Sequence, residues 1–288
     1  MVSTAKGSPV VSPQVSEPGR HTRIEHEEAS LSVVISASSD IGSAICADWR
    51  SSGEEVIATY RSSDSIGELK ALGVSLHRCD LSSSRSLANW IRQLPHVLAR
   101  RKWNKLALSA GTLNPVGLFG QSNFRQWRDS IEVNFLAQVE ILHAMLPFAK
   151  AGAKIMFFAG GGTNTAVPRY SAYTLSKIAS VKLCELLDAE YPDLTFFSLG
   201  PGWVRTKIHQ ETLDAGPEAG ESLSATGDAL AGQSIFPMKD LVETVNYLMG
   251  LRASALSGRN FSAVHDPIRN LAFLRELEVD PDLYKLRR

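Results

Sequence analysis

Short apolar runs rich in β-branched and aromatic residues alternate along this chain with longer segments of helical periodicity. Helical patterns fall near residues 41–52, 64–71, 83–100, 122–149, 172–190 and 239–251. The seven runs expected to form strands are 32–35, 55–60, 74–78, 106–109, 154–158, 194–199 and 260–264. Because these runs are continuously apolar, we expect helices to cover both faces of the sheet. The sequence therefore predicts an α/β fold with a doubly wound, seven-stranded parallel sheet.

Composition and charge narrow the class of partner. The chain has 288 residues, of which 44% are apolar and 21% charged, and its 30 basic side chains balance 30 acidic ones. A neutral chain offers no overall field to attract nucleic acid or an anionic membrane. No run approaches the roughly 18 apolar residues that span a bilayer. We therefore expect a small-molecule substrate, with neither nucleic acid nor membrane as partner.

Cys46, Cys79 and Cys184 are too few and too scattered for a disulfide framework, and no paired cysteines of the metal-binding kind occur. They fit small core residues in a reducing compartment, so we expect a cytoplasmic protein without a metal. Residues 1–29 are rich in Ser, Pro, Gly and charge and are expected to form a disordered extension. A single domain is expected over residues 30–288.

The sharpest local signal is the pair Tyr173 and Lys177. Their i,i+4 spacing in a predicted helix places both side chains on one face, about one turn apart. An ammonium beside a phenol favours the phenolate, so we expect the pKa of Tyr173 to be lowered from its usual value of about 10. A lowered pKa suits a tyrosine that acts as general acid or base. A tyrosine and a lysine on the surface of a helix can have the same spacing, so the spacing alone does not indicate a catalytic pair. The motifs around the pair are needed for that interpretation.

Those motifs occur in a fixed order along the chain. They are a strand–turn–helix at residues 32–52, Asp80-Leu81 after the third strand, Ser109-Ala110-Gly111 after the fourth, Asn134 in an apolar helix, Tyr173 with Lys177, and the run from Pro201 to Thr206 after the sixth strand. In this order the chain resembles the short-chain dehydrogenase/reductase family over about residues 31–265. The resemblance implies a Rossmann fold and a nicotinamide-dependent oxidoreductase with Tyr173, Lys177 and Asn134 as catalytic residues.

The resemblance also implies a nucleotide site along the sheet edge. The family's first turn reads T-G-x-x-x-G-x-G, and here only Gly42 of its glycines is kept, with Ser36 and Asp40 in the other two places. A turn that opens a helix still presents N–H groups and a positive helix end to a pyrophosphate. Asp40 is tolerable there as an N-cap if its carboxylate points away from the phosphates. The residues expected to bind the cofactor at this turn are Ser36, Ser38, Ser39, Asp40 and Ile41.

The end of the second strand indicates which cofactor is preferred. An NAD-dependent enzyme of this fold usually places an acid there for the ribose 2′-hydroxyl. This chain has Tyr60 at that position, followed by Arg61 and Ser62. A guanidinium is the natural partner of a 2′-phosphate. We therefore expect NADP(H) to be preferred and NAD(H) to be the less favoured cofactor.

Further cofactor contacts are implied by the resemblance alone. Asp80 and Leu81 match the residues beside the adenine, and Ser109, Ala110 and Gly111 match the Asn-Ala-Gly run that lets a ribose approach the sheet. Lys177 is implied to bind a ribose as well, and Tyr173 to border the cofactor. The residues that match the segment around the nicotinamide carboxamide are Pro201, Gly202, Val204 and Thr206.

Two positions leave alternatives open. Asn134 is either a satisfied core amide or, as the family pattern implies, the holder of a water that links Lys177 to solvent. The family's catalytic serine is absent, because Ala159 or Gly160 stands in its place. Backbone N–H groups of the glycine loop could act instead, as could the hydroxyl of Thr163 or Thr165, or catalysis could be weakened or lost.

Residues 206–234 interrupt the alternating pattern with four glycines and few strand formers, and we interpret them as a substrate lid without strong structure. Polar residues at its start favour a hydroxylated ketone such as a keto-sugar, reduced with NADPH.

The alternative function is that of a catalytically impaired, dinucleotide-binding regulatory protein. An epimerase or dehydratase of this fold would need tightly held NAD(H), and Arg61 disfavours that cofactor. Apolar helices 122–149 and 172–190 favour a homodimer or homotetramer.

Overall fold

The computed structural model describes residues 30–63, 66–163, 165–232 and 235–286. The predicted extension over residues 1–29 lies outside this part of the chain. Seven strands form one sheet: β1 Leu31–Ile35, β2 Glu55–Tyr60, β3 Ser75–Arg78, β4 Trp103–Leu108, β5 Ala149–Phe158, β6 Thr195–Gly200 and β7 Arg259–Ser262. Every pairing is parallel, in the order β3-β2-β1-β4-β5-β6-β7. The prediction of a doubly wound, seven-stranded parallel sheet is confirmed.

The helices follow the predicted alternation, with two kinds of difference. They are α1 Asp40–Ser51, α2 Gly67–Ala71, α3 Ser84–Leu98, α4 Phe124–Ile131, α5 Ala137–Met145, α6 Ser171–Glu190, α7 Ile208–Ala215, α8 Glu221–Ala231, α9 Met238–Gly250, α10 Ala253–Leu256 and α11 Leu271–Val279. The predicted helix 122–149 is interrupted by a π-helical segment, Glu132–Leu136, and ends in a 3₁₀ turn at Leu146–Phe148. Helices α7, α8, α10 and α11 were not predicted.

Two apolar layers hold the helices against the sheet. Ile45 and Trp49 of α1 pack with residues of α9 and α11 on one face. Trp90 of α3, Ile141 of α5 and Cys184 of α6 pack on the other. Successive residues of the buried strand β1 belong alternately to the two layers, as Val33 and Val34 do. The continuous apolar runs of the sequence therefore reflect burial on both faces.

The doubly wound order places the strands' carboxyl ends along one edge, where ligands bind in such sheets. Strand order reverses between β1 and β4, and the turns after both strands meet there. No helix of the described residues is long and apolar enough to cross a membrane.

Candidate active site

Tyr173 and Lys177 lie in the first turns of α6, beside the carboxyl ends of β4 and β5. The Lys177 Nζ lies 5.5 Å from the centroid of the Tyr173 ring, and its side chain is 4% exposed. One face of the helix therefore carries both groups, as the spacing predicted. Both groups are largely shielded from water, so the loss of hydration acts on each of them.

The pKa of Tyr173 differs from the expectation. Burial and, to a smaller extent, the nearby Glu211 carboxylate together raise the pKa of Tyr173 to about 12, so the predicted lowering is wrong. Burial lowers the pKa of Lys177 to about 8. Removing two groups from water disfavours the charged form of each, and this effect outweighs their mutual attraction. Tyr173 is consequently a protonated phenol at neutral pH.

Gly160, one of the two candidates for the position of the absent serine, lies against the ring of Tyr173. A Cβ built on Gly160 would lie 2.7 Å from both Cε1 and Cζ of Tyr173 and closer still to its hydroxyl. Ala159 is buried and donates its N–H to Leu199 O in β6. Gly160 is therefore the residue facing the phenol, and the tyrosine fills the room that a side chain there would need.

The hydroxyl of Thr163 is already engaged, since it donates to Gly160 O at 3.3 Å. Among the three substitutes for the missing serine, this contact weighs against Thr163.

Asn134 is a satisfied amide in the π-helical segment, with 1% of its surface exposed. Its Oδ1 accepts from Thr112 N at 2.8 Å, and its Nδ2 donates to Thr112 O at 2.9 Å and to Ser130 Oγ at 3.0 Å. The side chain thus holds the segment after β4 by both backbone groups of one residue. Asn134 Oδ1 and Lys177 Nζ lie 3.7 and 3.9 Å from the point where a Cβ on Gly111 would stand. The structure thus brings the predicted residues Tyr173, Lys177 and Asn134 into one site. The role of Asn134 in holding a water molecule stays a prediction.

The turn after β1 keeps its shape despite the lost glycines. Ser36 has φ +73°, the left-handed conformation that the first glycine would supply, and Thr59 Oγ1 accepts from its N–H at 3.0 Å. A Cβ on Gly42 would collide with Ser36 O and lie 2.8 Å from Ser39 Oγ. The turn therefore keeps its tight conformation and its close packing against the start of α1.

Ser39 is the N-cap of α1, because its Oγ accepts from Gly42 N at 3.1 Å. The expectation that Asp40 caps the helix is wrong. Asp40 is the first helical residue, and its carboxylate accepts instead from Lys207 N at 2.6 Å. The hydroxyl of Ser109 replaces the family's asparagine at the same edge by donating to Ile35 O at 2.8 Å, which links β4 to β1.

The residues after β2 and β3 lie further along this edge. Ser38 Oγ accepts from Arg61 N at 3.2 Å, which brings the arginine beside the turn. Arg61 and Ser62 are exposed, and Tyr60 is half-buried. Asp80 Oδ1 accepts from the backbone N and the hydroxyl of Ser82, at 3.0 and 2.7 Å. The structure brings Arg61 next to the turn, whereas the contacts of Asp80 are with its own loop.

Residues 201–206 connect β6 to α7. Gly202 has φ +75°, and a Cβ there would collide with the Val264 side chain. Val204 is buried, and its carbonyl oxygen lies 2.9 Å from His209 Nε2. Thr206 O accepts from His209 N at 3.2 Å. This segment is therefore fixed at the mouth of the site, next to the start of α7.

Residues 206–232 of the predicted lid are largely helical, which corrects the expectation of a stretch without strong structure. The glycines that favoured a loop lie mostly at helix ends: Gly216 and Gly220, with φ +54° and +59°, flank a 3₁₀ turn, and Gly232 ends α8. Residues 233–234 of the predicted lid lie outside the described part. Of the polar side chains that open this segment, Arg205, Lys207 and Gln210 are exposed, whereas His209 and Glu211 are half-buried.

The inner face of the lid is apolar apart from Glu211 and Thr212. Ile208, Ala215, Ala219 and Leu223 pack with Leu113, Val116, Val167, Tyr170 and Tyr173 in one cluster. Thr212 Oγ1 bonds the buried Tyr170 hydroxyl at 3.1 Å. The sequence patterns do not identify Thr112, Tyr170 or Ile208 as site residues. For Ile208 a signal exists, since positions 208, 211, 212 and 215 follow helical spacing.

Comparisons with known proteins agree with this geometry. Residues 35–263 match the family model described as enoyl-(acyl carrier protein) reductase, and the chain belongs to the short-chain dehydrogenase/reductase family. It is 29% identical over 108 residues to an uncharacterized oxidoreductase of Schizosaccharomyces pombe, covering 37% of this chain and 44% of that protein. It is 28% identical over 149 residues to the benzil reductase ((S)-benzoin forming) of Saccharomyces cerevisiae, covering 48% and 55%. The chain thus spans about half the length of these two relatives.

A solved actinorhodin polyketide ketoreductase with NADPH superposes with a TM-score of 0.70 at 20% identity. The match covers 81% of this chain and 95% of that one. At this identity the likeness shows the fold. The two relatives are named as an oxidoreductase and a reductase, and the solved structure as a ketoreductase.

Proposed function

We propose that the protein is an NADP(H)-dependent reductase that converts a ketone to an alcohol. The observation that carries this proposal is the buried pair Tyr173 and Lys177 at the carboxyl edge of the sheet, beside Gly111 and Asn134. A reduced nicotinamide bound there would supply the hydride. Tyr173, protonated at neutral pH, donates its proton to the carbonyl oxygen as negative charge develops on it. The Lys177 ammonium then stabilises the phenolate that remains.

The residues along the edge fit a dinucleotide phosphate. The start of α1 offers its N–H groups, and Gly111 leaves room beside Lys177. Arg61, next to Ser38, supports NADP(H) over NAD(H) because a guanidinium pairs with a 2′-phosphate. The ketoreductase neighbour with NADPH supports the same choice.

The donor to the carbonyl oxygen remains a proposal as well. Because Gly160 has no side chain and Thr163 is engaged, we favour the backbone N–H groups of the glycine loop at 160–162. Such groups stabilise oxyanions in other enzymes.

The apolar inner lid favours a compact apolar or aromatic ketone over the keto-sugar that the sequence favoured. A cavity of about 510 Å³ lies between the 112–116 loop, α4 and the end of α7. Its lining includes polar residues such as Gln126, Asp129 and Glu218, and its apolar part includes Val116 and Ala215, which also belong to the cluster around Tyr173. The benzil reductase relative acts on a diaryl diketone, by its name. A substrate of that kind would bury its rings against these side chains.

The second candidate is a dinucleotide-binding regulatory protein with impaired catalysis. Gly160 in place of the serine and a carboxylate at position 40 favour it. One experiment separates the two: NADPH consumption with benzil, a simple aryl ketone and a keto-sugar, alongside NADPH binding by fluorescence. The reductase oxidises NADPH with an aryl ketone. The regulatory protein binds NADPH and consumes none.

Assembly and location are proposals too. Leu136, Leu175 and Leu186 on the α4–α6 side are exposed by 47–51%. Exposed leucines on neighbouring helices favour pairing with a second copy, as a homodimer or homotetramer. A monomer mass by light scattering at micromolar concentration would contradict this. The three free cysteines remain the support for a cytoplasmic location.

A further inference from the structure

Helix α7 crosses the proposed cofactor cleft and is fixed on both sides by a carboxylate. At its start, Asp40 Oδ2 accepts from Lys207 N at 2.6 Å, and Lys207 Nζ lies 3.9 Å from Asp40 Oδ1. One turn later, Glu211 Oε2 accepts from Thr112 Oγ1, Leu113 N and Asn114 N at 2.8, 2.6 and 3.1 Å. The first contact joins the helix to the pyrophosphate turn, and the second joins it to the segment after β4.

The side chain between these two contacts lies beside the proposed ribose position. Ile208 Cδ1 is 3.4 Å from the point where a Cβ on Gly111 would stand, and Lys177 Nζ is 3.9 Å from the same point. Gly111 and Lys177 are the residues to which we assign a ribose. Ile208 therefore borders the room that Gly111 leaves for that ribose, and its position follows that of α7.

We propose that Asp40 and Lys207 form a latch that holds α7 closed over the cleft, and that a dinucleotide binds only after this latch opens. The inference rests on the proposed function, since it requires a dinucleotide site. The pyrophosphate and the Asp40 carboxylate are both anions at the start of α1, so they repel each other and compete for the same donors. The exposed Lys207 ammonium can leave Asp40 for a phosphate when the helix lifts.

A simpler account of Asp40 is that a carboxylate in the first turn stabilises α1 through the helix dipole. That account predicts no role for the N–H of Lys207. The two accounts can be separated at Lys207, because its φ of −59° is already within the range of proline. Lys207→Pro removes both the N–H and the ammonium, whereas Lys207→Ala removes the ammonium alone.

The experiment is stopped-flow fluorescence of NADPH binding to the full chain. The latch predicts that the observed rate for the natural sequence reaches a plateau as NADPH increases, because opening becomes limiting. Lys207→Pro is expected to raise that plateau about tenfold over Lys207→Ala, as expected for the loss of one hydrogen bond to a charged group. Ile208→Ala, which enlarges the room beside the ribose position without touching the latch, is expected to tighten equilibrium NADPH binding. Gln210→Ala serves as control, since Gln210 is exposed and bonds to Asp214 on the same helix.

Equal rates for Lys207→Pro and Lys207→Ala, with rates that rise linearly with NADPH, would overturn the latch. If circular dichroism shows that Lys207→Pro is unfolded, Asp40→Asn takes its place in the experiment. A plateau in Asp40→Asn that equals that of the natural sequence would then overturn the latch. Absence of NADPH binding in every variant overturns the proposed function along with the latch. Binding at unaltered rates overturns the latch alone.

Discussion

The Tyr173 hydroxyl lies in the space where any side chain at position 160 would begin, and a glycine stands there. The Cε1 and Cζ atoms of the ring are 2.7 Å from an ideal Cβ on Gly160. Distances this short cannot persist in a packed protein, so either the ring or the strand end would have to move. The buried Tyr173 ring therefore fills the space that a serine side chain at position 160 would need.

Restoring the family's serine is thus expected to harm the site. Gly160→Ser should displace the phenol by about 1 Å or more and lower kcat for ketone reduction by about 10²-fold. Gly161→Ala is the matched control, because a Cβ on Gly161 meets nothing within 4 Å. Steady-state kinetics with an aryl ketone measures both variants. A Gly160→Ser enzyme faster than the natural one would contradict this geometry.

The pH dependence of reduction should follow Lys177. Its pKa is lowered to about 8 by burial, so the ammonium is present below that pH and is lost above it. Tyr173 stays protonated up to about 12, so it does not limit the rate in this range. We expect kcat for reduction to fall as the pH rises through 8, measured under saturating NADPH. A kcat that is flat between pH 6 and 10 would be inconsistent with this role.

Lys177 should also destabilise the fold. Below pH 8 Lys177 is charged in both the folded and the unfolded chain, and its buried charge lowers the free energy of unfolding. Above pH 10.5, its pKa in the unfolded chain, it is neutral in both, and this penalty is absent. Lys177→Met should therefore increase the free energy of unfolding at pH 7 by about 3 kcal/mol. The gain should shrink between pH 8 and 10.5. Urea unfolding at pH 7 and pH 10 measures it, and a variant less stable at pH 7 would refute it.

Cofactor preference should depend on Arg61. Arg61→Asp removes the proposed partner of the 2′-phosphate and adds repulsion, so the NADPH-to-NADH ratio of kcat/KM should fall about 10–100-fold. Lys70→Asp on α2 makes the same change of charge at another exposed position. If both variants change the ratio equally, the effect is general electrostatics rather than recognition.

Local patterns predicted the sheet and the residues that meet at its edge, because apolar runs and i,i+4 spacing are local properties. The sequence placed Tyr173 and Lys177 on one face without help from the rest of the fold. It failed for the pKa of Tyr173, because the Glu211 carboxylate and part of the apolar cluster around the ring come from α7, which is distant in the sequence. It failed for α7 itself because Gly216 and Gly220 were interpreted as loop residues, although their positive φ angles end helices.

The N-cap of α1 is a second feature that the local sequence does not determine. Ser39 and Asp40 are both good capping residues, and the sequence does not distinguish them. In the structure Ser39 caps the helix, and the Asp40 carboxylate accepts from Lys207 N across the cleft, a contact between distant segments that local sequence does not reveal.

The central claim is that the Tyr173 phenol gives a proton to a carbonyl beside a bound nicotinamide. Tyr173→Phe measured against Tyr170→Phe tests it most directly, since the Tyr170 hydroxyl bonds Thr212 and has no assigned part in the reaction. We predict that Tyr173→Phe lowers kcat by about 10²–10⁴-fold while its Kd for NADPH is unchanged, and that Tyr170→Phe keeps most of its turnover. A Tyr173→Phe enzyme that reduces an aryl ketone at the natural rate would contradict the claim.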